Sequence, residues 1–502
     1  MNDVSKSPLT GKLYEIPSPG EGDREAIEEF LSRNGEKPVV VVQGLGFVGS
    51  VMSLVCTNAI SADYAVVGVD LPIRESFWKI GSFREGSLPL GSTDPKVPEF
   101  FENAISKGNH LATFDPFVFS VADVVIVDVN LDVSKNSGEE GELINFDVDL
   151  GAFEKAIRTI ADHCKPEVLV VVETTVPPGT CENVVFPLMK SGLASRNLKT
   201  DAFRLGHSYE RVMPGPDYID SIQNFYRVYS GINEESAEST QAFLRTIIRT
   251  DEYPLTRLKN TNSTEIAKVL ENSYRAANIA FMVEWSRFAE EAGVDIYEVV
   301  HAIRMRDTHK NMMLPGIGVG GYCLTKDPLL ASWSRQKIFH SKEGLSQSEQ
   351  GVRINDRMPY FAFRFFVQNL KSLSKEVQGL KILLLGVSYR GDVGDTRYSP
   401  VELFCKLLAS AQCEVRAHDY FVQYWEECSL CIETDIQNAL NEDFEALVIT
   451  TAHSDYKSNQ YLMEVLERRS DLIVFDTVGL FSEVELERIA SNHNLLVLGR
   501  GN

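Results

Sequence analysis

Positive charge is scarce in this chain. Lys and Arg number 49 against 71 Asp and Glu, a formal net charge of −22 over 502 residues, and this excludes sequence-independent nucleic-acid binding, which relies on Lys and Arg neutralising phosphates. An anionic small molecule would therefore need a locally basic pocket. Also missing is any apolar run long enough to span a bilayer, so no membrane segment is expected. The opening Met1-Asn-Asp-Val-Ser-Lys6 lacks the charged-then-apolar layout of a secretory signal, which makes the cytoplasm the expected compartment. Cysteine is sparse too: eight in such a length fit reduced thiols better than a disulfide framework. Cys428 and Cys431 form a C-x-x-C, but no second pair lies at zinc-ribbon spacing, and no metal site is expected. A chain this long exceeds one core and suggests two or three domains.

What is present begins with Pro38-Val-Val-Val-Val-Gln43, which reads as a strand buried on both faces of a parallel sheet. It runs into Gly44-Leu-Gly46-Phe47-Val48-Gly49 and then the apolar Ser50–Ala59 stretch of a helix. A lone G-x-G-x-x-G is weak, but a second strand, Ala65–Val69, ends in Asp70, 21 residues after Gly49. That spacing fits the dinucleotide fingerprint, in which a pyrophosphate sits on the helix N-terminus and the acid binds ribose hydroxyls. The acid would repel a 2′-phosphate, so NAD is expected rather than NADP. Arg74 is a candidate for the adenosine end, with a solvated surface arginine as the competing reading.

Strands at Val124–Val129 and Val168–Glu173, separated by a polar loop at Ser134–Asn145 and a helix at Leu150–His163, predict a doubly wound parallel sheet. Thr175 follows the second strand, at a carboxyl end where open sheets bind ligands. Glu210 and Arg211 lie in a loop bounded by Pro214 and Gly215; side-by-side opposite charges are usually solvated. From Ser263 to Gly293 the pattern predicts one long helix, with Lys268 and Asn272 on one face. Its small positions Ala276, Ala277, Ala280 and Val283 suit close packing against another helix, a dimer contact being one such use. Arg304, Arg306, His309 and Lys310 form a basic cluster suited to a diphosphate. A second, smaller α/β unit starts at Leu380–Gly386, lacks the full glycine fingerprint, and carries Arg390 and Arg397 as candidates for phosphate contacts, with surface pairs to Asp392 or Asp395 as the bland alternative.

The chemistry is expected at Gly316-Ile-Gly-Val-Gly-Gly-Tyr-Cys-Leu-Thr-Lys-Asp-Pro328. Its glycines, Gly320 among them, leave room for a ligand to approach Cys323, and the positive charge of Lys326 would favour the thiolate. Asp327 is placed to handle a proton or a water. A glycine turn around a small buried hydrophobe is the competing reading.

Six segments in this order resemble the UDP-glucose/GDP-mannose dehydrogenase family of nucleotide-sugar 6-dehydrogenases over roughly residues 38–500: the Gly44–Gly49 turn with Asp70, Glu173–Thr180, Tyr209–Gly215, the Glu265–Tyr274 helix, Gly318–Cys323 with Asp327, and Gly386–Arg390 with Gly394–Pro400. The resemblance implies an α/β fold: an N-terminal extension (1–37), an NAD-binding Rossmann domain (38–232), a central helical, dimerising domain with the cysteine loop (233–372), and a Rossmann-like UDP-sugar-binding domain (373–502). It implies NAD at Gly44, Gly46, Phe47, Val48, Gly49, Asp70, Arg74 and Thr175. It also implies four-electron oxidation of a sugar C6 alcohol, with Cys323 forming a thiohemiacetal and then a thioester. Lys268 and Asn272 would stabilise oxyanions, Asp327 would act as acid/base, and Glu210 and Thr175 would order water. Substrate contacts would come from Glu210, Arg211, Lys268, Asn272, Gly320, Arg390, Arg397 and Arg306, the last across a homodimer interface through the central helix. Pro214 stands where many UDP-glucose enzymes carry a second glutamate, so the segment looks more like the branch acting on UDP-N-acetylhexosamines. A single-step NAD-dependent hydroxyacid dehydrogenase and a non-catalytic nucleotide-sugar sensor are the alternatives; the first gives Cys323 no role, and the second would be expected to lose it.

Overall fold

The structure, a computed structural model, describes residues 3–18, 20–212 and 215–501. In chain order the elements are β1 (Val4–Lys6), β2 (Leu13–Glu15), α1 (Arg24–Asn34), β3 (Val39–Gln43), α2 (Phe47–Thr57), β4 (Ala65–Val69), α3 (Phe77–Arg84), α4 (Lys96–Lys107), β5 (His110–Thr113) and β6 (Val124–Val127). There follow β7 (Val133–Ser137), β8 (Leu143–Val148), α5 (Gly151–His163), β9 (Val168–Val172), α6 (Phe186–Ser195), β10 (Phe203–His207), α7 (Tyr218–Gln223), β11 (Val228–Gly231), α8 (Glu234–Ile247), β12 (Thr256–Arg257) and α9 (Thr261–Ala292). Last come α10 (Ile296–Arg304), α11 (Asp327–Lys337), α12 (Ser346–Ser372), β13 (Lys381–Leu385), α13 (Pro400–Ser410), β14 (Glu414–His418), the short pair β15 (Tyr424–Trp425) and β16 (Leu430–Cys431), β17 (Ala446–Ile449), β18 (Ile473–Asp476) and β19 (Asn494–Val497).

The chain forms two compact units, each assembled from separate stretches. The first comprises 1–132, 148–269 and 333–341; the second comprises 133–147, 270–332 and 342–502.

In the first unit the valine runs bury every residue of β3, β4, β6 and β9, as strands covered on both faces must. They belong to an eight-stranded sheet of order β12-β11-β10-β9-β6-β3-β4-β5, within which β5-β4-β3-β6-β9-β10 run parallel in the doubly wound 3-2-1-4-5-6 arrangement. β11 turns back antiparallel to β10 and pairs in parallel with β12. The order reverses between β3 and β6, so the carboxyl ends of those strands frame a crevice at Gly44 and Asp128. Residues 3–34 are part of this unit: the β1–β2 hairpin seats Tyr14 against Gly81 of α3, and the Ser5 hydroxyl donates to the Arg74 carbonyl at 2.6 Å.

The second unit has a five-stranded parallel sheet, β14-β13-β17-β18-β19, the 2-1-3-4-5 order of the other doubly wound class. The stretch expected as a polar loop at Ser134–Asn145 is instead the hairpin β7–β8, which belongs to this unit. Lys135 pairs with Asp356 of α12 at 2.7 Å, and Gly141 lies against the Asp356 carbonyl and Leu403 of α13, so a largely polar ribbon is held by neighbouring helices rather than by its own apolar face. On α9 the small stripe is already used inside the unit. Ala276, Ala280 and Val283 are buried, Ala277 lies under Gly351 of α12, and Asn355 donates to the Ala276 carbonyl at 3.0 Å. That stripe, expected as a dimer contact, is thus covered within the unit, while Leu270, Tyr274, Phe281, Trp285 and Phe288 of α9 are exposed.

Candidate active site

The candidate side chains fall into two groups, one in each unit. In the first unit, Gly46 caps the start of α2, directly after the turn at Gly44, whose φ of +102° and approach to the Asp128 carbonyl admit no side chain. A Cβ on Gly49 would stand 1.9 Å from the Gly44 carbonyl, so this glycine allows helix and strand to close up. No acid stands in the first turn of α2, where Phe47, Val48 and Gly49 lie, and the N-terminal dipole is left for an anion. Phe47 stacks on Tyr218 at 4.9 Å. At the end of β4, Asp70 accepts the Leu45 N–H at 3.2 Å and pairs with Lys79 at 3.1 Å, beside the turn where a ribose diol would be met. An open turn, an unopposed helix start and an acid at the next strand end fit a dinucleotide. Arg74 is exposed and salt-bridged to Asp3.

Glu210 and Arg211 are not the solvated pair their adjacency suggests. The Glu210 carbonyl accepts from Lys268 at 3.0 Å, and its carboxylate stands 3.5 Å from the same ammonium. Arg211 lies over the rings of Tyr209 and Phe225. The other part of that motif, Met213 and Pro214, falls outside the described residues. Thr175 is half-buried after β9, while its neighbour Thr174 caps the carbonyls of Val127 and Val129 at 3.0 Å.

Two buried charge sites around these residues escape sequence reasoning. Glu265, one turn before Lys268, accepts the N–H groups of Gly179 (2.6 Å) and Cys181 (2.8 Å), and burial raises its carboxyl to about 7. Asp128, just past β6, is raised to about 8 by burial and then by the charge of Glu210. Arg227, salt-bridged to Glu173, is lowered to about 10 by burial. Position at the carboxyl end of a parallel strand was the available signal for Asp128 and Glu173.

In the second unit Cys323 is exposed, and its carbonyl accepts the Asp327 N–H at 2.9 Å, so the thiol stands one turn ahead of α11. Asp327 is fully buried: Asn272 donates to its Oδ2 at 2.6 Å, and Lys326 pairs with its Oδ1 at 3.1 Å. Lys326 also lies 4.5 Å from the centre of the Tyr322 ring. Its charge therefore also meets the Asp327 carboxylate directly. Lys268 and Asn272 sit one turn apart on α9, as expected.

Gly320 and Gly321 lie flush against Tyr389, beside exposed Arg390. Arg397 makes a bidentate pair with Asp395 (2.9 and 2.7 Å), the bland alternative considered for it. The basic cluster is dispersed: Arg304 donates to the Met312 carbonyl at 2.9 Å, Lys310 pairs with Asp307 at 2.7 Å, and Arg306 is exposed.

Profiles of three domains of the UDP-glucose/GDP-mannose dehydrogenase family match in sequence: the NAD binding domain over 38–249, the central domain over 262–357 and the UDP binding domain over 383–483. A UDP-N-acetyl-D-mannosamine dehydrogenase of Pyrococcus horikoshii is 30% identical over 421 residues, 84% of this chain and 90% of the relative. The chain belongs to the UDP-glucose/GDP-mannose dehydrogenase family. A Methanocaldococcus jannaschii relative of the same name is 27% identical, covering 94% of this chain and 99% of the relative. Among solved structures, the NDP-N-acetyl-D-galactosaminuronic acid dehydrogenase of Methanosarcina mazei Go1 aligns with a TM-score of 0.74 at 25% identity over 95% of this chain and 98% of its own. The UDP-D-ManNAc dehydrogenase of P. horikoshii also gives 0.74, at 26% identity over 92% and 99%. As a member of this family the protein is an NAD-dependent nucleotide-sugar dehydrogenase. No helix among the described residues is long and apolar enough to cross a membrane.

Proposed function

We propose that this dehydrogenase, as a cytoplasmic enzyme, oxidises the C6 alcohol of a UDP-N-acetylhexosamine, UDP-N-acetylmannosamine foremost, to the uronic acid by way of Cys323. The observation that carries the reading is an exposed thiol one helical turn ahead of a buried Asp327–Asn272 pair. NAD⁺, which the Gly44–Gly49 turn, the start of α2 and Asp70 would hold, would supply the hydride acceptor for each of the two oxidations. After the first, the Cys323 sulfur adds to the C6 aldehyde and keeps it covalently held as a thiohemiacetal. The second leaves a thioester, and water then releases the carboxylate and restores the thiol. Asn272 and Lys268 hold the negative charge that develops on the C6 oxygen. Asp327 takes and returns the proton of the alcohol and of the water, helped by Glu210 and Thr175 in placing that water. Arg390, Arg397 and Arg306 bind the diphosphate, Arg397 by exchanging Asp395 for phosphate oxygens.

The N-acetylhexosamine assignment is supported by the names of the relatives and by Pro214 in the place of a second glutamate. The enzyme acts as a homodimer through the exposed aromatic face of α9, where Trp285 packs 5.9 Å from both Phe281 and Phe288.

The test is NADH formed per sugar with NAD⁺ and UDP-glucose, UDP-N-acetylglucosamine, UDP-N-acetylmannosamine and GDP-mannose, beside Cys323→Ala. Two NADH per sugar from one of them, lost in the variant, is expected. One NADH per sugar, or activity indifferent to Cys323, would refute the thioester route.

A further inference from the structure

The loop after β13, Gly386–Pro400, carries Arg390 and Arg397. Two of its non-glycine residues hold left-handed backbone, Asp392 at φ +62° and Tyr398 at φ +55°, a conformation that persists only where the surroundings over-determine it. At Asp392 the determinants converge on one fully buried side chain, His453. The Asp392 N–H donates to His453 Nδ1 at 2.9 Å. His453 Nε2 therefore carries the proton and donates to Asp419 Oδ2 at 3.1 Å. Asp419, also fully buried, accepts in addition the N–H groups of Val387 (2.9 Å) and Ser388 (3.2 Å) and the Ser388 hydroxyl (3.0 Å).

Next to the histidine, Ser454 donates its N–H and hydroxyl to the Asp392 carboxylate at 2.8 and 2.6 Å. Gly391 passes so close to the Ala452 carbonyl that a Cβ would lie 2.4 Å from it. The backbone is thus pinned at 387–388 and again at 391–392. Between the pins stand Tyr389, whose Cβ abuts Gly320 and whose ring closes on Gly321, two residues from Cys323, and Arg390, which is exposed. The same short segment touches the cysteine loop and presents a phosphate-seeking cation, and its shape depends on an imidazole that reaches neither.

We propose that His453 is a positioning residue for the reaction: its neutral ring, bridging Asp419 and the Asp392 N–H, fixes the loop that presents Arg390 to the substrate diphosphate and Tyr389 to the cysteine loop. This rests on the assignments of Arg390 and Cys323 made above. An asparagine at 453 can place an amide oxygen near the Nδ1 position and accept the Asp392 N–H, whereas an alanine leaves that N–H without its acceptor and removes one of the donors to the Asp419 carboxylate.

The experiment uses full-length His453→Ala, His453→Asn, Arg390→Ala and the Arg390→Ala/His453→Ala double variant, with UDP binding by titration calorimetry, KM and kcat for the active nucleotide sugar, KM for NAD⁺ and thermal unfolding as a fold control. His453→Ala is expected to weaken UDP binding and raise the sugar KM by about tenfold, with kcat within about threefold and the NAD⁺ KM unchanged. His453→Asn is expected to recover most of the loss, and the double variant to bind UDP no more weakly than Arg390→Ala. Unchanged UDP affinity in His453→Ala, an equal loss of NAD⁺ affinity, or full additivity in the double variant overturns the proposal. If the alanine variant does not fold, His453→Asn carries the test: UDP affinity between the wild-type value and that of Arg390→Ala supports the proposal, and wild-type affinity overturns it. Arg390→Ala binding UDP as tightly as wild type would instead overturn the Arg390 assignment itself.

Discussion

Glu265 offers the sharpest check on the electrostatics of the first unit. Its carboxylate is wrapped by the N–H groups of Gly179 and Cys181, yet burial outweighs them and raises it from an ordinary 4.5 to about 7. The protonated form is therefore favoured in the folded protein. Stability from this group is greatest at low pH, falls as pH rises through the window from about 4.5 to about 7, and changes little above it. Between pH 5 and pH 8 the linkage is on the order of 2–3 kcal/mol, from roughly 1.4 kcal/mol for each unit of separation between the two titrations. Any opening that exposes Glu265 should then become on the order of 10- to 100-fold more frequent across that interval, by the same conversion. Hydrogen exchange of the Gly179 and Cys181 amides, corrected for the intrinsic pH dependence of exchange, measures this directly. In Glu265→Gln the pH dependence should vanish, whatever the absolute protection. Protection in the wild type that is flat from pH 5 to pH 8, or a slope that survives in the glutamine variant, would refute the reasoning.

Two further outcomes are expected. Gly321→Ala must adopt φ +80° with its Cβ 2.7 Å from the Tyr389 ring; it should lower stability by about 1–3 kcal/mol and depress turnover, and an unchanged melting temperature and rate would contradict the packing described. Replacing both Phe281 and Trp285 by glutamate should convert a dimer to folded monomers in light scattering, since both side chains are exposed. Persistence of the dimer would remove the α9 face from consideration.

Much of the fold was legible because its central strands are nearly pure valine, a composition that only a doubly covered sheet accommodates. The glycine turn and Asp70 declared the dinucleotide half by spacing. The β7–β8 hairpin was not legible: Val133-Ser-Lys-Asn-Ser137 carries a loop-like polarity, and the partners that hold it, Asp356 among them, lie more than two hundred residues away. Adjacency did not reveal that Lys326 pairs with the next carboxylate and lies over the Tyr322 ring. It misled at Glu210 and Arg211, which separate towards Lys268 and a pair of aromatic rings. Glu265, Asp128 and His453 were silent for a common reason: an acid or a histidine looks the same in sequence whether water or a backbone N–H solvates it, and burial is decided by distant strands.

The weave of the chain has a consequence for biogenesis. Each unit is built from three stretches, and the hairpin at 133–147 is made long before residues 270–332 and 342–502, with which it packs. Emerging from the ribosome, the first unit lacks its last stretch until residue 341 is synthesised. From the synthesis of β8 until α12 is made, then, the nascent polypeptide holds a ribbon without its berth, and truncation at any single peptide bond between 132 and 342 leaves at least one unit incomplete.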